Sequence, residues 1–511
     1  MYPGFMGEYV RRVKTGSGAT AVQIASKTRG VRSIIEHVGS AHTDLELELM
    51  VQTAKTRIRE RAQAAGQAEF QIDTPAVPVM PRITMHHSYS RLLYDTLAGL
   101  YDQLGFTDAV NDRVFRDLVI ARIIEPASKL DTIRILENLG LKAPSNSGIH
   151  RSLNQAADHD YRDKFAAACV TFRGTEHLTL VLYDVTTLFF QVEREDEYRK
   201  PGLSKERRLE PQIVVGLLVD ERGFPLQLHS FEGNKAETLT LVPVLDAFRA
   251  QHPDVSVSVA CDAGMLSAAN LLALEDAGYS FIVGSRIAKT PPDVAEYQHD
   301  GSELSDGQVF ESRQWFGRGE TRRERRVVYQ YREKRARLDL RNIEKQVEKA
   351  RKVVAGTTPV KKGRFLKISG AAKSIDEALV ESARQRAGIK GYVTNLPILT
   401  APALAVIDAY HQLFNVEASF RMAKTDLKAR PIFHRQREKI EAHLTVVFCA
   451  IAISRHIQEA TGVSVKKFVQ QLARVQDGVV SIEGVEHVVP AAIPGEVREI
   501  LTQLSGSGAG H

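Results

Sequence analysis

The sequence predicts an α/β protein built on a mixed β-sheet flanked by helices, and three observations support this. From His177 to Ser285, runs rich in Val, Leu, Ile and Phe alternate with helical periods in the order β, β, β, α, β, α, β. Ahead of them, Ser88 to Cys169 repeats apolar residues at helical spacing. Behind them, Arg318 to Lys367 carries 18 Lys and Arg against 6 Asp and Glu. That local excess of 12 stands on a chain of net charge +6, so the remainder is slightly acidic. Such an excess points to a polyanionic partner, nucleic acid first.

A chain of 511 residues is too long for one ordinary core and predicts three or four structural units, and its 43% hydrophobic content marks it as globular. Cys169, Cys261 and Cys449 lie far apart in apolar surroundings and form no CxxC pair, as expected of reduced core residues in a cytoplasmic protein. The opening MYPGFMGEYVRRVK lacks the apolar core of a secretory signal, so no export is expected. The longest apolar run, Leu444 to Ile453, falls well short of the roughly 20 residues that span a bilayer, and it predicts a buried helix.

In chain order, residues 1–85 read as an N-terminal β/α unit and linker. AVQIAS and SIIEHVG alternate as strands, a polar helix follows over 45–66, and TPAVPVMP is a Pro-rich connection. Residues 86–170 read as a helical domain with ends at Gly105, Pro126 and Gly140. Arg113, Arg116, Arg122, Lys129 and Arg134 make it a candidate for DNA binding, the alternative being ordinary solvated helix faces.

Residues 171–285 form the first part of the sheet. HLTLVLYDVTTLFFQ is a strand with Asp184 at its centre, and a carboxylate within a buried strand is costly unless something pairs with it. PQIVVGLLVD and FPLQLHSF make a hairpin around ERG, and KAETLTLVPVLDAFRA is a helix with Glu237 near its start. VSVSVACDAGM is a strand ending in Asp262; a helix from Ser267 to Ala277, stopped by Gly278, and the strand YSFIVGS complete the region. Asp262 by itself reads equally as a helix N-cap or a working carboxylate.

Residues 286–390 read as a basic β-rich and helical insertion. GQVFESRQWFGRG and ERRVVYQYRE are its strands, and ARLDLRNIEKQVEKARKVVA is an exposed charged helix. Arg322, Arg323, Arg325 and Arg326 beside Trp315 are candidate DNA contacts, as are Lys205 and Arg207 ahead of the hairpin. Trp315 reads as a core residue or as a platform for an unpaired base. Residues 391–465 hold the second part of the sheet region, and residues 466–511 a short helical appendix and a disordered tail. Within the former, Tyr410 to His434 predicts a helix on which Tyr410, Glu417 and Lys424, seven residues apart, share a stripe with Arg421. Leu413, Phe414, Val416 and Phe420 would bury its other side. Alone, the stretch reads as well as an amphipathic surface helix whose Glu417 to Arg421 pair contributes about 0.2–0.5 kcal/mol.

Together, Asp184, Asp262 and Glu417 offer oxygen-only ligands, which suit Mg²⁺ or Mn²⁺. Two such ions about 3.5–4 Å apart activate the attacking oxygen and stabilise the leaving oxygen of a phosphodiester. No Walker A, HExxH or GxSxG motif occurs, and no Cys/His set has zinc spacing.

In YDVTTLFF around Asp184, GLSKERRLEPQIVVGLLVDERGFPLQLHSFEGN, ACDAGM around Asp262 and VEASFRMAKTDLKARPIFH, the sequence resembles the DDE transposases of bacterial insertion sequences. RRVKTGSGATAVQIA and HVGSAHTDLE extend the likeness towards the N-terminus. The related branch sets its third acid in a Tyr-x2-Arg-x3-Glu-x6-Lys signature, matched by Tyr410, Glu417 and Lys424, with Leu413 in place of the arginine. The long interval from Asp262 to Glu417 agrees with that family's β-rich insertion before the third acid. The resemblance implies an RNase H-like mixed sheet and a cytoplasmic, nucleoid-associated enzyme that binds terminal inverted repeats, cleaves element ends and joins the 3′-hydroxyls to target DNA. It further implies two Mg²⁺ or Mn²⁺ ions on Asp184, Asp262 and Glu417, DNA phosphates against Tyr410 and Lys424, and a homodimer or higher assembly on double-stranded DNA. An RNase H-like nuclease without strand transfer and a non-catalytic DNA-binding derivative are the alternatives.

Overall fold

The computed structural model describes residues 7–15, 18–28, 30–64, 83–191, 194–202, 209–265, 267–285, 287, 289–359, 363–369, 372–482 and 484–506. The chain forms two compact units, one of residues 1–99, 129–144 and 466–506, the other chiefly of 100–128 and 145–465. Lys205 and Arg207, and the Pro-rich stretch around 74–81, lie outside the described residues.

The second unit is organised on one eight-stranded sheet. Its strands are β1 (Leu180–Phe189), β2 (Gln212–Asp220), β3 (Pro225–Glu232), β4 (Ser258–Cys261), β5 (Ser280–Ser285), β6 (Val309–Phe316), β7 (Arg323–Tyr331) and β8 (Ile389–Thr394). Their order across the sheet is β6-β7-β8-β5-β4-β1-β2-β3. β1 to β3 form an antiparallel meander, whereas β4 pairs parallel with β1 and β5 parallel with β4. Parallel neighbours require crossovers, which the helices Leu241–Gln251 and Ala268–Asp276 supply. Every residue of β2, QIVVGLLVD, is buried, the continuous apolar run expected of a strand covered on both faces. At the predicted ERG turn, Asp220 accepts from the backbone N–H groups of Arg222 and Phe224, while Gly223 takes φ +84°. This is the mixed sheet flanked by helices that the sequence predicts.

Two segments are divided differently from the expected domains. The strands of the basic segment extend the central sheet, since β8 pairs antiparallel with β5, β7 with β8, and β6 with β7. The buried centre of β7 needs a hydrogen-bonded neighbour on each side. Among the described residues of this segment, the helices Glu333–Val354 and Glu377–Gln385 and a short hairpin (Leu366–Ser369, Ala372–Ile375) form a local core, around Ile343, Val347, Phe365 and Val380. The helical segment 86–170 is likewise shared between the two units. In the second unit its helices pack on Arg437–Thr461, to which Arg162 is paired at Glu441 and from which Lys439 donates to the carbonyl of His150. Among the described residues Arg437–Thr461 is the one helix long and apolar enough to cross a membrane, and 94% of that window is buried inside the fold, as its predicted core role requires. Cys169, Cys261 and Cys449 are free thiols in buried positions.

The first unit contains an antiparallel sheet (Glu8–Lys14, Thr20–Thr28, Val31–Ala41) packed on the helix Asp44–Ala64 through Val22, Ile24, Val51 and Ala54. It also contains strands where the sequence predicts a helical appendix. Asp477–Ile482 pairs with both Val485–Val489 and Ile83–Tyr89. Between VVSI and VEHVV, Gly484 takes φ +87°, a hairpin signal that the flanking helices Val465–Leu472 and Gly495–Gly506 obscure.

Candidate active site on the central strands

β1 and β4 run parallel with Tyr183 opposite Cys261, the last residue of β4. Asp184 follows in the middle of β1, where it still pairs with Leu217 of β2, and Asp262 is the first residue after β4. Neighbouring strands are about 4.8 Å apart, and both carboxylates add to the burial that pushes the Cys261 thiol above its usual range. Asp184 is half-buried and Asp262 exposed. The alternative N-cap role of Asp262 is overturned: a short 3₁₀ turn, Ala263–Met265, follows it, and Ser267 caps the next helix by accepting from the Asn270 N–H.

Tyr410 acts from within the protein. Its hydroxyl donates to Asp262 Oδ1 at 2.7 Å, and its ring lies edge-on to Tyr392, with centroids 4.9 Å apart. Gly284 on β5 is required here, because a Cβ at that position would stand 2.6 Å from the Tyr410 hydroxyl. Burial, and then the bond to Asp262, hold the phenol protonated well above its usual range. The expected phosphate contact is therefore corrected, since the hydroxyl is committed to orienting an acid.

Glu417 lies on a different helix from Tyr410, which corrects the single stripe. The helix Ala403–His411 ends in a turn, where Leu413 N–H bonds to the Tyr410 carbonyl and Asn415 N–H to that of Gln412, and Phe414–Thr425 begins anew. Two side chains fasten this second helix to the β2–β3 turn, Ser419 to the Gly223 carbonyl at 2.7 Å and Asn415 to that of Glu221 at 2.6 Å. Leu413, in the expected arginine position, is buried, whereas Glu417, Arg421 and Phe414 are exposed.

Lys390 lies within the electrostatic reach of both Asp262 and Glu417. Burial and Arg335 lower the Lys390 ammonium below its usual range, against the opposing pull of Asp262 and Glu417. Among the described residues no three Asp, Glu, His or Cys side chains come close enough to enclose a metal. The arrangement is thus two aspartates that follow a paired Tyr183 and Cys261 on adjacent strands, one of them oriented by a tyrosine, with a glutamate on a separate helix. Oxygen donors of this kind fit a hard divalent ion.

The cations separate into two groups. Lys424, with Arg430, lines a cavity of about 610 Å³ beside Thr186, Thr187 and Glu237, on the Asp184 side. Trp315, on the edge strand β6, is 58% exposed with the Arg322 guanidinium 4.6 Å from its ring centroid, which overturns its core reading. Arg323, also exposed, donates to the Glu320 carbonyl. Arg325 and Arg326 are corrected as DNA contacts: both are buried, the first clamped by Glu275 at 2.7 Å and the second by Glu311 at 2.8 and 2.9 Å. Sequence reasoning missed Lys390 and Tyr392. Their signal was IKGYVT, a strand-like run with a cation inside it.

Comparison with known proteins adds a family. The model of the Transposase DDE domain matches residues 178–453, more than half of the chain. No curated protein matches the sequence. Two solved structures are similar to it at low identity. A piggyBac transposase synaptic complex with hairpin DNA is 10% identical at TM-score 0.37, covering 75% of this chain and 79% of that one. The Mos1 transposase paired-end complex with the left transposon end is 15% identical at TM-score 0.16, covering 45% and 66%. With the family's domain spanning the strands of Asp184 and Asp262 and the helix of Glu417, this chain belongs to the DDE transposases.

Proposed function

We propose that this protein is the transposase of an insertion sequence, binding the element's terminal inverted repeats, cleaving its ends and joining the 3′-hydroxyls to target DNA. The placement of Asp184 and Asp262 immediately after the paired Tyr183 and Cys261 of two adjacent parallel strands is the observation that carries this reading. Asp184, Asp262 and Glu417 would hold two divalent ions, Mg²⁺ or Mn²⁺, whose chemistry is to activate an attacking oxygen and neutralise charge on the leaving one. Tyr410 keeps Asp262 in one orientation through its hydrogen bond. Lys424 and Arg430 face the cavity beside Asp184, where they would receive a backbone phosphate. Arg421, Arg322 and Arg323 are exposed cations suited to duplex contact outside the site. The enzyme would act in the cytoplasm at the nucleoid, as a dimer or higher assembly on DNA.

The test is a supercoiled plasmid carrying the element's own ends, incubated with Mg²⁺ and purified protein. Nicking followed by joining is expected from the parent, and nicking without joining would favour the nuclease alternative. Glu417→Gln should lose at least about 10²–10³-fold in cleavage, the scale of removing one electrostatic group from a catalytic site, while retaining end binding. A Glu417→Gln protein that cleaves near the parental rate sinks the assignment.

A further inference from the structure

A second cavity, also of about 610 Å³, is lined by Asp262 and Tyr410. Its walls carry four cations, Arg335, Arg364, Arg386 and Lys390, against two carboxylates, Asp262 and Asp339. Both carboxylates are engaged. Asp339 lies 3.5 Å from the Arg335 guanidinium and accepts from the Gly388 N–H, while Asp262 accepts from Tyr410. The cavity is therefore positive beyond its internal pairing. We propose that it binds the phosphodiester backbone of an unpaired DNA strand, with Lys390 on the phosphate nearest the reacting centre. This rests on the transposase reading above.

Three features favour that ligand. Lys390 Nζ lies 4.2 Å from the centroid of the Tyr410 ring, whose hydroxyl holds Asp262, so one aromatic ring separates the ammonium from the proposed metal ligand. The cations are also set against one another: burial and then Arg364 lower Arg386, as burial and then Arg335 lower Lys390. An entering anion relieves that repulsion. The size discriminates between strand and duplex, because about 610 Å³ is a small-molecule volume, too small for a double helix whose major groove alone is about 12 Å wide. Asn342 and Gln346, on the exposed helix Glu333–Val354, add carboxamides that can meet a base edge.

The experiment uses the full chain with a labelled mixed-sequence single strand and the matching duplex, measuring affinity across a salt series. Lys390→Gln/Arg386→Gln should reduce the single-strand salt slope by about 1.4, near 0.7 for each phosphate that is no longer neutralised, and leave the duplex slope unchanged. Arg364→Gln, at an exposed position on the cavity wall, should remove about 0.7 and keeps the test decisive if the double variant melts early. Unchanged single-strand slopes in the folded variants overturn the proposal, as does an equal fall for both DNAs. Competition by inorganic phosphate as effective as by the strand also overturns it, since the site would then take a free anion. A parent protein that binds neither DNA refutes the transposase reading itself.

Discussion

The middle of β1 with the end of β4, and the hairpin of β6 and β7, belong to one sheet, yet they treat charge in opposite ways. At the first, Asp184 and Asp262 follow the paired Tyr183 and Cys261, and the hydrogen bond that Asp262 accepts from Tyr410 orients it without neutralising it. At the second, two of the four arginines in ETRRERR are turned inward and consumed by Glu275 and Glu311. Arg322 and Arg323, slightly earlier in the same run, remain outside. A count of charge along the chain therefore locates a basic region without telling which of its cations face solvent. Because the consecutive Arg325 and Arg326 are both buried, it is not strand alternation that decides this but the carboxylates and cover that each face of the strand meets.

The comparison can be broken most sharply at Arg325. If it is structural, Arg325→Ala should lower the unfolding free energy towards the lower end of the roughly 3–5 kcal/mol seen when one partner of a buried pair is removed, because Glu275 retains some exposure. Chemical denaturation reads this, and the folded variant should bind DNA with the parental salt slope. A reduced slope at unchanged stability would return Arg325 to the DNA-binding surface.

A smaller effect is expected at the aspartate pair. Tyr410→Phe removes one hydrogen bond to a carboxylate, worth about 1.5–3 kcal/mol, so cleavage should slow by about 10- to 100-fold while end binding persists. Because burial and Asp262 raise the phenol, it stays protonated through the ordinary phenol range. The parent should therefore show no alkaline loss near pH 10 that Tyr410→Phe abolishes; such a loss in the pH–rate profile would contradict the orienting role.

The smallest stability change belongs to Trp315. Because the side chain is exposed, Trp315→Ala should stay within about 0.5 kcal/mol of the parent. If Trp315 stacks on an unpaired base, the same variant should slow second-strand release without affecting first-strand nicking. A strongly destabilised variant would restore the core reading, and normal second-strand release would remove the stacking one.

Much of the second unit was legible because its signals are local. VVGLLVD, the ERG turn, Ser267 before an apolar helix and Gly278 after it each act over a few residues, and the structure places strand, turn, N-cap and stop there. The break between Tyr410 and Glu417 was hidden because both sides of it are helical in period, and only the i to i+3 bonds at Gln412 and Leu413 separate them. The hairpin at 477–489 was hidden by helices on either side.

The sequence by itself determined the strands and helices from His177 to Ser285, the candidate acids and the basic segment, since period, turn chemistry and charge are properties of neighbouring residues. Tertiary structure alone decided that Tyr410 serves Asp262, that Arg325 and Arg326 are internal, and that Lys390 lies over the Tyr410 ring. Each of these depends on a partner 15 to 148 residues away in the chain or on packing against an adjacent strand. Only the assembled sheet and the helices packed on it bring such partners together.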